Sequence, residues 1–471
     1  MWPLPLPLND ASFNLDVSGI AGFFGGEEAI SAMASVHIYN GRKWLGWYNS
    51  PGSYTIARKY GQLANSRLWD GLYPGVNVDP AIMLELDGKS GPKYQGLVSG
   101  TRMDRTGHLA SLFAAYCRDL KAPKVVDGRK TTQVGVTVVQ LTGSPPAQLN
   151  PTLTKTLTPL IALIAIGANL ATCVVSAIFA EWYSFAMILL GILCNGFSCL
   201  VIGSGELVFK HPEPPKNAPR GDGFLLDDDQ VIILKGPEGA ITAITRGQFL
   251  LHYTSETQYH DIGLSSVALT LQFLLQLFII PQAHLFGQIL FLLSLAASYA
   301  YNAYLSSIDK ECLQQDILIR VLETQGKPLA VRKFILPNRT AMSVFSMLTA
   351  LPKETLTHPT DAQQSLPSAV LTSFIPNNTP MWQVWRHVVL RDVQRIFLGN
   401  AKISVETLRA EDQTIFSATP DDTDKLDEGS KGLLHTLLLD ARAGFGGYLS
   451  ALDTTGWGIS ETRSIDDRSS A

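Results

Sequence analysis

The chain has 471 residues, 46% of them hydrophobic and 17% charged, with a formal net charge of −4. That balance gives no global basic field for nucleic acid, and no nucleic-acid-binding signature is present. Five cysteines without a CxxC pair and nine histidines without HxxxH or HExxH spacing predict no disulfide framework, no metal site and no cofactor.

The start, MWPLPLPLND, has no basic stretch before an apolar run and predicts no cleaved signal peptide. Pro3, Pro5 and Pro7 predict an extended beginning. Residues 17–34 are glycine-rich and moderately apolar, but Glu27 and Glu28 interrupt them. The expectation is a buried helix or loop, with a membrane-surface or re-entrant segment as the alternative. Trp44, Trp47, Tyr48, Tyr54 and Tyr60 form an aromatic cluster. It predicts the core of a small domain, and a place in a lipid headgroup layer is the alternative. A helix is expected from His108 to Leu120 with Thr106 as N-cap, and a strand over 133–141. Ser144, Pro145 and Pro146 then break structure. Residues 1–156 are expected to form an N-terminal cytosolic region.

Two windows are almost emptied of charge. Between Lys155 and Lys210 the charged residues are Glu181 and Glu206, and between Asp261 and Asp309 there is none. Each window is about twice the length of one bilayer crossing, roughly 20 residues. Each therefore predicts a helical hairpin, at 157–208 and 262–308. The first pairs 159–179 with 182–202, with Glu181 in the turn between Trp182, Tyr183 and the preceding helix. The second pairs 263–280 with 285–304, with Pro281 ending one helix.

The intervening 209–261 is expected to be a cytosolic insert. QVIILKG and QFLLHYT predict strands around a short helix starting at Pro237. Residues 309–416 are expected to form a C-terminal cytosolic region with a helix over 340–351. Its helix 382–397 carries Trp382, Trp385, Val389, Val393 and Ile396 on one face, opposite His387, Arg391 and Arg395. That pattern suits contact with anionic lipid or docking on a soluble core. Residues 417–471 are expected to be an acidic linker, an amphipathic helix over 433–452 and a disordered tail.

With four crossings and two short turns, all long segments share one side. Lys121, Lys124, Arg129, Lys130, Lys155, Lys210, Lys216, Lys310 and Arg320 flank the spans there, which predicts a cytosolic side in an endomembrane or plasma membrane. Asn338 and Asn377 head formal glycosylation sequons, which should stay unmodified in that orientation.

Polar groups inside spans are costly and mark candidate functional positions. Asn195, Glu206, Gln272 and Gln276 are the candidates, with Asn169 and His284 beside them. Gln272 and Gln276 share one helix face and suit either hydrogen bonds to a neighbouring span or a polar path. In the soluble part, Arg102, Asp104, Arg105 and His108 crowd a helix start and suit a phosphate or carboxylate ligand. Asp227, Asp228 and Asp229 lack the spaced oxygens of a calcium loop. Gly88-Lys89-Ser90 lacks the first glycine of a phosphate loop, since Met83 stands there.

WLGWYNSPG, ARKYGQL, SGTRMDRTGHL, AAYCRDLK, GPEGAITAITRG and YLSSIDKE together resemble a family of multi-pass membrane proteins from mushroom-type (basidiomycete) fungi. The resemblance runs from the start through the second hairpin. It implies a fungal source and a membrane fold, and it carries over no activity, catalytic residue or cofactor.

The fold class expected is an α-helical integral membrane protein, four transmembrane helices as two hairpins, with α+β cytosolic regions. The bilayer is the expected partner, protein partners are unspecified, and assembly into a homo-oligomer is compatible with four spans. The leading expectation for function is a non-enzymatic membrane anchor or scaffold. The alternatives are a channel or transporter, although no broken helix pair is evident among the spans, and an enzyme or ligand binder using Arg102 to His108.

Overall fold

A computed structural model describes residues 6–8, 22–64, 66–75, 78–121, 124–154, 159–253, 255–323, 329–351, 355, 366–398, 415–424 and 426–453. Residues 17–21 of the glycine-rich segment and the tail beyond 453 lie outside the described residues.

In chain order the first half contains α1 (Gly26–Met33), α2 (Ser53–Gly61), β1 (Lys93–Gly96), β2 (Arg102–Met103), α3 (His108–Asp119), β3 (Lys124–Val125), β4 (Val134–Gln140), β5 (Gln148–Leu149), α4 (Pro159–Ile178) and α5 (Trp182–Ile202). There follow β6 (Glu206–Lys210), β7 (Gly223–Leu226), β8 (Gln230–Lys235), α6 (Glu238–Thr245), β9 (Gln248–His252), α7 (Glu256–Ile279), α8 (Leu285–Ser306), β10 (Ala330–Leu336), α9 (Arg339–Ala350), α10 (Leu366–Phe374), α11 (Pro380–Leu398) and α12 (Glu428–Asp453).

The chain divides into two compact units. Met1–Gly88, Gln148–Lys210 and Gln248–Leu318 form the first, and Lys89–Ala147, His211–Gly247 and Ile319–Ala471 form the second. The expected region 1–156 and the expected insert 209–261 therefore each contribute to both units. QVIILK and QFLLH are both strands, but they belong to different sheets.

In the first unit four helices are long and apolar enough to cross a membrane: Leu160–Ile178, Trp182–Ile202, Gln258–Gln282 and Leu285–Ser306. Ser255 caps α7 by accepting from Gln258 N–H, while the Gln258 side chain accepts from Ser255 N–H. Pro281 sits in a 3-10 turn, Ile280–Gln282, that ends the same helix. The helices pack as a ring. α4 packs on α5, α5 on α7, α7 on α2, α2 on α1, α1 on α8 and α8 on α4. The last two long helices, joined by the short turn, do not pack extensively along each other. α1 and α2 lie between them, with Phe23 and Tyr54 on Phe273 and Phe24 on Tyr299. β5, β6 and β9 form an antiparallel sheet.

The second unit is built on a mixed sheet of order β2-β1-β7-β8-β4-β10-β3. β4 and β8 run parallel, with Val136 opposite Val231 and Val138 opposite Ile233, and β10 lies antiparallel on the other side of β4. Side chains alternate across the sheet. Val136, Val138, Val231, Ile233 and Phe334 join one core with Phe345 of α9, Trp385 of α11 and Phe445 of α12. The intervening positions, such as Ile232 and Leu234, are buried on the opposite face, where α3 packs on β8. The start of α3 corrects an expectation: Gly107 is the N-cap, and Thr106 Oγ1 donates to Pro92 O instead. α11 spends its apolar face inside this core. Trp385 is fully buried and its Nε1–H donates to Leu437 O at 3.1 Å. Arg391 donates to Asp392 and Asp422, and His387 and Arg395 remain exposed. Asn338 is the buried N-cap of α9, which removes the first sequon as a marker of orientation.

Candidate functional site in the first unit

The stretch that opens WLGWYNSPG does not form a small domain of its own. From the 3-10 turn Arg42–Leu45 it runs down the inside of the helix ring. Gly46 lies against Cys199, Trp47 against Gly196 and Asn49 against Gly191, so the chain descends α5 about one turn at a time. A Cβ at Gly191 would overlap the Asn49 carboxamide, which is why α5 needs glycine there. The descent ends at Pro51 and Gly52. Gly52 has φ +72°, a left-handed conformation that favours glycine, and a Cβ there would overlap the Gly26 backbone. The starts of α1 and α2 therefore meet at this depth. α2 then climbs back out.

Asn49 joins the long helices at the bottom of this turn. Its N–H donates to Asn169 Oδ1 at 3.2 Å and its Nδ2 donates to Ser294 Oγ at 2.9 Å. Ser294 Oγ donates in turn to Asn169 Oδ1 at 2.8 Å, and Asn169 Nδ2 donates to Ser298 Oγ at 3.0 Å. Asn169, Gly191, Gln272 and Ser294 stand near the centres of α4, α5, α7 and α8. This polar belt separates two apolar clusters, one around Ile188, Phe291 and Leu295, the other around Ala165, Tyr301 and Leu305.

Arg42 lies one layer above, 2% exposed. Its Nη2 donates to Tyr48 OH at 3.4 Å, Tyr48 OH donates to Asn302 Oδ1 at 2.8 Å, and the guanidinium stands 5.2 Å from the Tyr301 ring centroid. Arg42, Tyr48, Tyr60, Asn195 and Asn302 line a cavity of about 10 Å³. Among the described residues, Arg42 Nε and Nη1, Tyr60 OH, Asn302 Nδ2, Asn49 Oδ1, Gln276 Nε2 and both polar atoms of Gln272 are buried without a protein hydrogen-bond partner. Buried polar groups are normally satisfied, and each one left unpaired costs about 1–3 kcal/mol. Their concentration in these two adjacent layers therefore sets this region apart.

The predicted span residues divide. Asn195 is buried and its Nδ2 donates to Gly46 O at 2.7 Å, holding the descending limb. Gln276 Oε1 accepts from Ser53 Oγ at 3.5 Å, and Gln272 is fully buried beside Gly191. Gln276 thus meets the inserted segment, and Gln272 lies against the neighbouring helix α5. Glu206 lies outside the spans: α5 ends at Ile202, and Glu206 opens β6, exposed, accepting from Asn150 Nδ2. Glu181 is 2% exposed despite its place in a turn, and it pairs with His284 Nδ1 at 2.8 Å, tying the two short turns together.

The soluble candidates divide by exposure. Arg102, Asp104 and Arg105 are exposed, Asp104 pairs with Lys93 at 3.4 Å, and His108 is buried at the start of α3. A separate cavity of about 210 Å³ in the second unit is lined by Val138, Phe334, Leu348 and Tyr448, with Lys235 and Arg332 among its walls. Burial holds the Lys235 ammonium below the usual lysine range. Among the described residues no group of three His, Cys, Asp or Glu side chains is placed to hold a metal ion.

Sequence reasoning missed Arg42, Asn49, Tyr60 and Asn302. The Pro51-Gly52 break inside an aromatic-rich stretch was the available signal. Comparison of the chain with family models, curated proteins and solved structures gives no match.

Proposed function

We propose that this chain is an integral membrane protein whose first unit binds and carries a small polar solute near the middle of the bilayer. The membrane reading is supported by an inverted distribution of polarity. Ile164 and Phe278 are 71% and 72% exposed, while Asn169, Gln272, Ser294 and Ser298 are fully buried. Lipid tails as the surrounding solvent account for both. The four long helices then cross as two hairpins with both short turns on one side. The second unit lies on the cytosolic side, in keeping with Lys210 and Lys310 beside the span ends.

The observation that carries the solute reading is the depth of Asn49. A non-helical turn reaches the level of all four helix centres. Irregular backbone at that depth is tolerated where protein encloses it or where it lines a path. Carriers build their sites from interrupted helices whose N-termini point at the solute. α1 and α2 both begin beside this turn, which supplies the broken pair that the spans alone lack. An anchor needs four apolar rods and no such turn, so the geometry favours the carrier over the scaffold.

Liposomes reconstituted with the full chain test this. Under gradients of sodium chloride, urea, glycerol or amino acids, at least one solute should pass faster than through protein-free vesicles, as followed by light scattering. Asn49→Leu should abolish the difference. Permeability equal to that of protein-free vesicles for every solute sinks the carrier reading, and a chain that stays monodisperse without detergent sinks the membrane reading.

A second reading belongs to the second unit. Its 210 Å³ cavity, apolar apart from Lys235, Arg332 and Thr349, suits an apolar ligand with an acidic end. Displacement of a fluorescent fatty acid, weakened in Lys235→Met, is the expected result.

A further inference from the structure

We infer that the cavity beside Arg42 holds a single-atom anion, a halide. This inference rests on the reading of the first unit as a solute-binding core and names the class of solute.

Charge comes first. A guanidinium stays protonated in proteins. Arg42 is 2% exposed, and among the described residues no carboxylate forms an ion pair with it. Its polar neighbours are the neutral side chains of Tyr48, Tyr60, Asn195, Tyr301 and Asn302. A buried charge is retained where an opposite charge compensates it, and the described side chains supply none.

The chemistry of the lining comes second. Tyr48 OH accepts from Arg42 and donates to Asn302 Oδ1, so the Asn302 acceptor is engaged. Asn195 Nδ2 is committed to Gly46 O. Among these neighbours the groups left over are Arg42 Nε–H, Arg42 Nη1–H, Asn302 Nδ2–H, Tyr60 O–H and Tyr301 O–H. Each of these can donate, and three of the five can only donate. A surface of convergent donors around a fixed cation recognises an anion.

Size comes third. The cavity of about 10 Å³ is lined by residues of α1, α2, α5, α8 and the descending limb. That volume is on the scale of one water-sized sphere, about 10–15 Å³. A halide ion, somewhat larger than that sphere, enters with a small outward shift of the lining side chains, and phosphate, sulfate or a carboxylate is excluded.

The test uses the full chain purified in detergent. Sodium chloride or bromide replaces sodium gluconate at constant ionic strength, and the unfolding temperature is followed. A saturable rise with either halide is expected, together with an anomalous bromide peak beside Arg42 Nε in crystals grown with sodium bromide. Arg42→Met should remove the saturable rise. Tyr60→Phe, which keeps the ring, should weaken halide binding by about tenfold, the effect of one hydrogen bond to a charged group. Identical unfolding temperatures in chloride and gluconate overturn the inference, as does an unchanged halide response in Arg42→Met. Should Arg42→Met fail to fold, the bromide peak and the Tyr60→Phe titration decide, and a missing peak or an unaltered affinity overturns the site. Wild-type protein indifferent to halide that still passes another solute in an Asn49-dependent way removes the halide and leaves the carrier. Halide binding without any solute flux removes the carrier and leaves the halide.

Discussion

The two units solve opposite packing problems with the same twenty side chains. In the second, Val136, Ile233, Phe334 and Trp385 are buried, and the charged groups Arg102, Asp104 and Arg105 face outward. In the first, Asn49, Asn169, Gln272 and Ser294 are buried, and Ile164, Leu271 and Phe278 face outward. The second unit is what water selects, because burying apolar area is its main driving force. On the proposed membrane reading, the first is what an apolar solvent selects, where hydrogen bonds and close backbone approach hold helices together. The contrast shows that the proportion of apolar residues says little about either unit, and that the direction each side chain faces says most.

Substitutions can break this contrast, beginning with the largest effect. Gly52→Val places a branched side chain at φ +72° and against the Gly26 backbone. It should cost about 4 kcal/mol or more. Hydrogen exchange should then show the first unit opening while β4 and β8 stay protected; equal loss of protection in both units would end the division into separate cores. Trp385→Ala is the reciprocal experiment. It leaves a cavity in the second unit, should cost roughly 3–5 kcal/mol, and should spare the belt around Asn49.

Leu271→Lys sharpens the comparison at an exposed site, 52% exposed. A water-facing lysine at such a position changes stability by about 0.5 kcal/mol or less. At the centre of a membrane helix it costs about 3 kcal/mol of insertion. A marked fall in the membrane-inserted fraction is expected, and an unaffected fraction would contradict lipid as the solvent.

The smallest effect is a pH dependence of the first unit. Burial pushes the His37 imidazole down from 6.5 to about 4, partly offset by its hydrogen bond to Gly205 O. The unfolded chain takes up the proton first, so stability is full above about 6.5 and declines as pH falls toward about 4. The unfolding temperature should drop between pH 7 and pH 5, and His37→Gln should flatten that slope. A slope identical in wild type and variant would assign the dependence to another group.

Much of the first unit was legible because charge depletion is a one-dimensional signal. The four long helices, Pro281 as a terminator, and Gln272, Gln276 and Asn195 as buried polar positions followed from it. Arg42 and Asn49 did not, since each derives its meaning from partners far along the chain: Asn49 meets Ser294, and Tyr48 meets Asn302. Beside Lys43, Arg42 reads as an ordinary surface base. In the second unit β4, β8 and α6 carried clear local patterns. β2 and β3 are two residues long and have no pattern to read, so the seven-stranded sheet exists only once three distant stretches meet. The Arg102 to His108 stretch divides between exposed residues and a histidine buried at a helix start, a difference in burial that sequence proximity does not show.

The descending limb has a consequence for biogenesis. Asn49 is synthesised before every helix it touches, and its contact with Ser294 closes across 245 positions. Long-range closure of this kind is slow, so the ribosome delivers the keystone well before the arch. Until the last long helix has been made, this stretch can rest on α5 but lacks its contact with Ser294. Assembly of the first unit must therefore finish with its own beginning, and a truncation after α7 should leave Trp47 accessible to aqueous quenchers.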